Sequence, residues 1–93
     1  MRILMTRTFQ SALKRLHPNQ KSGMDDAVRG LASAPRLGEA KIGDLAGVRV
    51  YKFKMVNQLM LIAYEWDEQN HLMTLLSFGS HENFYRDIKR EQG

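Results

Sequence analysis

The sequence predicts a small α+β fold of order β-α-α-β-β-β-α. Its sheet is mostly antiparallel, with an N-terminal αα-hairpin on one face and a short C-terminal helix. Three observations predict this. Apolar residues recur at helical spacing through the first third of the chain, and from Val48 the period drops to two. Three strand-like runs then follow one another across short polar turns, as in an antiparallel meander.

Arg2–Thr6 reads as an opening strand. Phe9, Ala12, Leu13 and Leu16 then mark one helix, with Thr6 or Thr8 as its cap and Pro18 as its end. Met24, Ala27, Val28 and Leu31 mark a second helix. Asn19 or Ser22 can cap it, Asp25 and Asp26 sit near its positive end, and Pro35 stops it. Residues 33–47 read as a loop carrying Pro35, Gly38, Gly43 and Gly47, and long connections of this kind often carry function.

Val48–Met55 alternates. Val48, Val50, Lys52 and Lys54 share one face, while Arg49, Tyr51, Phe53 and Met55 share the other. Val56-Asn57-Gln58 is a tight turn. Leu59–Trp66 is almost wholly apolar, as a central strand should be. Asp67–Asn70 turns the chain into Leu72–Phe78. Gly79-Ser80 is expected to break that strand, and Ser80 to cap a last helix over His81–Arg90, with Phe84, Tyr85 and Ile88 as its apolar stripe.

At 93 residues the chain has room for one core, so residues 1–93 are expected to form one domain. Its 43% hydrophobic and 26% charged residues are globular values and exclude a disordered chain. The absence of cysteine removes disulfides, thiol catalysis and Cys-based zinc sites, and fits a reducing compartment. No run is apolar enough to be a signal core or a membrane span, so a soluble cytoplasmic protein without a membrane partner is expected. His17, His71 and His81 lack ligand spacing, and the glycines lack a phosphate-loop context, so neither a metal nor another cofactor is expected. Fourteen Lys and Arg against ten Asp and Glu leave a net charge of +4, which suits a polyanion or an acidic partner.

Four segments resemble the RelE/ParE superfamily of bacterial toxins. They are Asp44-Leu45-Ala46-Gly47-Val48-Arg49, the basic strand Val50-Tyr51-Lys52-Phe53-Lys54, the run Leu61-Ile62-Ala63-Tyr64-Glu65, and the strand-to-helix exit Leu76–Arg86. Gly79-Ser80-His81, with Tyr85 four residues beyond the His, is similar to the YafQ-like branch of ribosome-dependent ribonucleases. The resemblance implies a toxin that cleaves mRNA on the ribosome, an antitoxin that binds it in a hetero-oligomer, and functional roles for His81 and Tyr85. The alternative within the same fold is a ParE-like protein that blocks DNA gyrase by binding. Many ribonuclease members carry an Arg where this chain has Leu59-Met60-Leu61, so the phosphate-stabilising cation falls here to Arg49, Lys52, Lys54 or Arg86.

Metal-free RNA cleavage by the 2′-hydroxyl needs a base, an acid and cations around the phosphorus. Imidazole titrates near neutrality, and a lysine crowded by another cation can act as a base. Aromatic rings stack on unpaired bases. The candidate catalytic set is therefore His81, Lys52, Lys54, Arg49 and Tyr85, and the candidate RNA contacts are Lys52, Lys54, Phe84, Arg86 and Lys89. Read without the resemblance, Lys52 and Lys54 are strand residues that keep an exposed edge from aggregating.

Overall fold

The computed structural model describes residues 1–81. They form β1 (Arg2–Met5), α1 (Arg7–Lys14), α2 (Pro18–Ser33), β2 (Glu39–Ala40), a short 3-10 turn at Gly43–Leu45, β3 (Arg49–Met55), β4 (Gln58–Asp67) and β5 (Leu72–Ser80). The strands make one sheet in the order β1-β5-β4-β3-β2. Among the described residues only the β1–β5 pair is parallel, with Arg2 opposite Leu72 and Met5 opposite Leu75. The expected helix His81–Arg90, with Phe84, Tyr85, Arg86 and Lys89, lies outside the described residues except for His81.

Both helices pack on one face of the sheet. Phe9, Met24, Ala27 and Leu31 meet Met55, Met60, Ile62, Tyr64, Met73 and Leu75, and all ten are buried. Burying a large apolar side chain stabilises a fold by about 2 kcal/mol, so this layer dominates the stability of a chain this short. Phe9 meets Phe78 edge-on at 5.0 Å, which seats α1 over β5. Gly23 lets α2 close on β3, since a Cβ there would lie 2.9 Å from Cγ of Met55.

Three local expectations change. Pro18 does not end α1; it opens α2 as its first helical residue, where its missing N–H costs nothing. The His17 N–H donates to Oε1 of Gln20 at 2.9 Å, so Asn19 and Ser22 fall inside the helix instead of capping it. Gly79 and Ser80 do not break β5, because they stay in the ladder opposite Leu61 and Met60. Their partners on β4 outweigh the poor strand propensity of glycine. In addition, β2 pairs Glu39 with Val50 and Ala40 with Arg49, a strand too short to show a period in sequence.

Two features fix how β5 exits. Ala63 pairs with Ser77 and Tyr64 with Leu75, so Leu76 is an extra residue on β5, and this bulge swaps the strand's inward and outward positions. Thr6 holds the bulge in place. Its hydroxyl donates to the Leu76 carbonyl and accepts the Phe9 N–H at 3.1 Å, capping α1. The β3–β4 hairpin closes through Val56 and Asn57, both with positive φ (49° and 64°). That is a two-residue turn matched to strand twist, although a β-branched residue is strained in it.

Candidate functional site

The second face of the sheet carries no helix among the described residues. Its centre is a small cluster of Val50, Leu61 and Ala63, with Leu45, Val48 and Leu76 packed against it. The segment around the Gly43–Leu45 turn thus roofs the middle of this face. Lys52 and Lys54 continue β3 beyond that roof, on the same side as Val50, and both are exposed. Lys52 stands opposite Leu61, which in turn stands opposite Gly79, while Lys54 stands opposite Leu59. The ammonium groups therefore border a shelf of apolar side chains and bare glycine backbone.

β2 covers only Arg49 and Val50, so Tyr51–Met55 is an open edge among the described residues. Lys52 and Lys54 accordingly also do what edge lysines do, which is to discourage strand-on-strand association.

His81 follows Ser80, which pairs with Met60 beside Leu59. It is exposed. The chain thus leaves the sheet at the end where Lys54 stands, two strands away. Neighbouring strands are about 4.8 Å apart, so β3 and the exit of β5 are separated by about 10 Å of backbone, a gap that Lys and His side chains can close from both sides.

Arg49 is not brought to this group. Alternation puts it on the helix-covered face, opposite Tyr64. Its Nη1 donates to the carbonyls of Gly38 at 2.8 Å and Arg36 at 3.3 Å. Tyr64 holds the same loop. Its hydroxyl accepts the Gly38 N–H at 2.9 Å and donates to the Pro35 carbonyl at 2.7 Å. Burial pushes the Tyr64 hydroxyl above its ordinary pKa of 10, against the Gly38 N–H and the Arg49 guanidinium, which pull it down. Sequence reasoning missed this clamp. The available signal was a tyrosine in an otherwise apolar central strand, whose hydroxyl must find a partner.

The remaining candidates scatter. His17 caps α2, and His71 lies in the β4–β5 turn with positive φ, its ring edge-on to Trp66 at 5.8 Å. In the same turn Asn70 holds the Asp67 carboxyl below its ordinary pKa through side-chain and backbone hydrogen bonds. Among the described residues, no group of three or more His, Cys, Asp or Glu could hold a metal ion, and no helix is long and apolar enough to cross a membrane.

A sequence model of the ParE-like toxins of type II bacterial toxin–antitoxin systems matches residues 3–89. The chain belongs to that family. No curated protein sequence matches it. Among solved structures, it is similar to a chain of the toxin–antitoxin complex RelBE2 from Mycobacterium tuberculosis, with 20% identity, TM-score 0.73, and 86% of this chain and 96% of that one covered. It is also similar to the isolated RelE toxin of E. coli, with 14% identity, TM-score 0.66 and 96% of each chain covered. A third likeness is to a YoeB/ParE toxin from Agrobacterium tumefaciens, with 17% identity, TM-score 0.67, and 87% of this chain and 99% of that one covered. What these likenesses share is the α+β fold of two helices and a mostly antiparallel five-stranded sheet.

Proposed function

We propose that this toxin is a ribosome-dependent mRNA endonuclease of the YafQ-like branch, acting in the cytoplasm and neutralised by a cognate antitoxin. One observation carries the reading: Lys52 and Lys54 stand exposed on the sheet face opposite α1 and α2, and β5 delivers His81 to the same end. An mRNA phosphate laid over the Leu61–Gly79 shelf would have cations on one side and an imidazole on the other.

The 2′-hydroxyl attacks the adjacent phosphorus, a 2′,3′-cyclic phosphate forms, and the bond to the 5′ oxygen breaks. One side of the site takes the 2′ proton and the other returns a proton to the leaving oxygen, while the remaining cation offsets charge on the phosphorane. Tyr85 and Phe84 are proposed to stack on bases, and Arg86 and Lys89 to hold the backbone. Arg49, tied to the Gly38 carbonyl, is proposed to shape the fold and not to touch phosphate. Three of the matched structures are toxins in complex with an antitoxin, which supports a bound antitoxin as partner.

A second reading is a ParE-like inhibitor of DNA gyrase. It is favoured by the family matched and by Leu61, wholly buried in the strand where many ribonuclease relatives carry an Arg. Pulse-labelling of new protein and new DNA in cells induced for the chain separates the two. The ribonuclease reading expects protein synthesis to fall first, and His81→Ala to restore it. DNA synthesis falling first assigns gyrase, and no fall in either leaves a binding module.

A further inference from the structure

The two sides of the sheet end differently. Toward β2, the open part of β3 carries Lys52 and Lys54. At the other end β1 is the outer strand, and there Arg2 is followed by Ile3, Leu4 and Met5. Among the described residues eight large apolar side chains are exposed, and Met1, Ile3, Leu4 and Met5 are four of them. The backbone of this edge is open as well. The Arg2 N–H donates to the His71 carbonyl at 2.9 Å and the Thr6 N–H to the Leu75 carbonyl at 3.1 Å, so the even residues bond to β5. The N–H and carbonyl of Ile3 and Met5 therefore point away from the sheet. Gln10 covers the Met5 carbonyl through its side-chain amide at 3.1 Å. The Ile3 N–H, the Ile3 carbonyl and the Met5 N–H are left as open edge groups among the described residues. An apolar edge with such groups is a template for another strand.

The edge is complementary to itself. When two copies of β1 run antiparallel with Ile3 opposite Ile3, each Ile3 N–H meets the carbonyl of the other, and each Met5 N–H meets a Met1 carbonyl. Arg2 then stands opposite Leu4 and not opposite the second Arg2, so the like charges are offset while Met1 meets Met5. Ile3 and Met5 belong to the helix-covered face, because they stand level with the core residues Met73 and Leu75. Met5 also lines a cleft with Phe9, Leu13 and Val28, and a Met1 from the second copy would arrive at its mouth. A strand of four residues covers well under the roughly 800 Å² per partner of a stable complex, so this pairing is weak and depends on concentration.

We propose that β1 is a self-association edge, through which two copies join their sheets by a two-fold pairing centred on Ile3. Residues directly opposite in a sheet point to the same side, so both helical layers share one side and both Lys52–Lys54 pairs share the other. The two β3 strands then lie about 34 Å apart, at about 4.8 Å for each strand step. The inference is independent of the target considered above, because β1 and β3 lie on opposite sides of the sheet centre. Each copy carries a net charge of +4, so the pair tightens as salt screens the repulsion.

The test is sedimentation of the full-length chain from micromolar to millimolar concentration, in low and high salt, beside hydrogen exchange of the Ile3 and Met5 amides. The wild type should pass from monomer to dimer, at lower concentration in high salt, and both amides should slow as it does. Ile3→Glu and Ile3→Lys should each weaken the dimer by about tenfold or more, because like charges then face each other. An equal mixture of the two should restore it, which also shows that each variant is folded. Leu4→Glu faces Arg2 of the second copy and should tighten the dimer about threefold. Ile42→Lys, at an exposed apolar side chain away from β1, should leave it unchanged. A dimer that survives both Ile3 variants, or a mixture that stays monomeric, would overturn the proposal. So would a wild type that is monomeric throughout. Slow amides in that monomer would assign the edge to residues 82–93 of the same chain, and fast ones would leave it to a different protein.

Discussion

The Tyr64 hydroxyl bridges two parts of one loop, accepting the Gly38 N–H at 2.9 Å and donating to the Pro35 carbonyl at 2.7 Å. Tyr64 is wholly buried, so its removal leaves both backbone groups without that partner. Tyr64→Phe should cost about 1–3 kcal/mol, read as a lower urea midpoint at unchanged slope. Gly38→Ala should cost a similar amount, because its Cβ would lie 2.7 Å from both Cε1 and Oη of Tyr64.

The same tyrosine gives a pH dependence. Its folded pKa is raised above the unfolded value of 10. The contribution is therefore full below pH 10 and is lost as pH rises through the folded value. Unfolding free energies measured from pH 9 upward should show a fall in the wild type that is absent in Tyr64→Phe. Parallel curves would mean that the hydroxyl is not held as described.

Arg49 and the two lysines should separate stability from toxicity. Lys52→Ala and Lys54→Ala should change stability by less than about 0.5 kcal/mol, since both side chains are exposed and unpaired with any carboxylate among the described residues. Each should nevertheless reduce growth arrest in induced cells. Arg49→Ala removes the donor to the Gly38 carbonyl and should lower stability by about 1–2 kcal/mol. Thermal melts beside growth curves check both halves.

Thr6 joins three elements through one hydroxyl: the end of β1, the start of α1 and the bulge at Leu76. Thr6→Ala should cost about 1–2 kcal/mol, the upper range for loss of a helix cap. Hydrogen exchange should show the loss first at the amide of Phe9, which then has no side-chain acceptor.

The β3–β4 turn offers a gain. Val56 and Asn57 both adopt positive φ, and a branched side chain is costly there. Replacing the pair by Asn-Gly should stabilise the fold by about 1 kcal/mol, which for a domain of this size raises Tm by about 4–8 °C. No rise in Tm would mean that the turn relaxes its strain elsewhere.

The elements governed by local period were legible in the sequence. Alternation from Val48 gave the faces of β3, including the exposed lysines, and helical spacing gave Phe9, Met24 and Leu31 as buried. Pro18 was ambiguous, because proline both ends one helix and opens the next. The parallel pairing of β1 with β5 and the bulge at Leu76 are set by contacts far apart in sequence, which no local period reports. Arg49 shows the limit at the site. Its parity placed it on the face opposite Lys52 and Lys54 from the start, yet a cation on a basic strand invites a phosphate, and only the positions of the Gly38 and Arg36 carbonyls show what it binds.

The position of β5 has a consequence for how the chain is made. It lies between β1 and β4, yet among the described residues it is the last strand to be synthesised. At about 5–20 residues per second, β1 and α1 wait several seconds for the strand that supports them. Of the pairs among the described residues, β2–β3 and β3–β4 can form earlier. A chain released before Leu72 would hold Lys52 and Lys54 but neither the floor beneath α1 nor the strand that leads to His81. An unfinished copy thus lacks one side of the proposed site, and the interval before completion is the time a partner has to be ready.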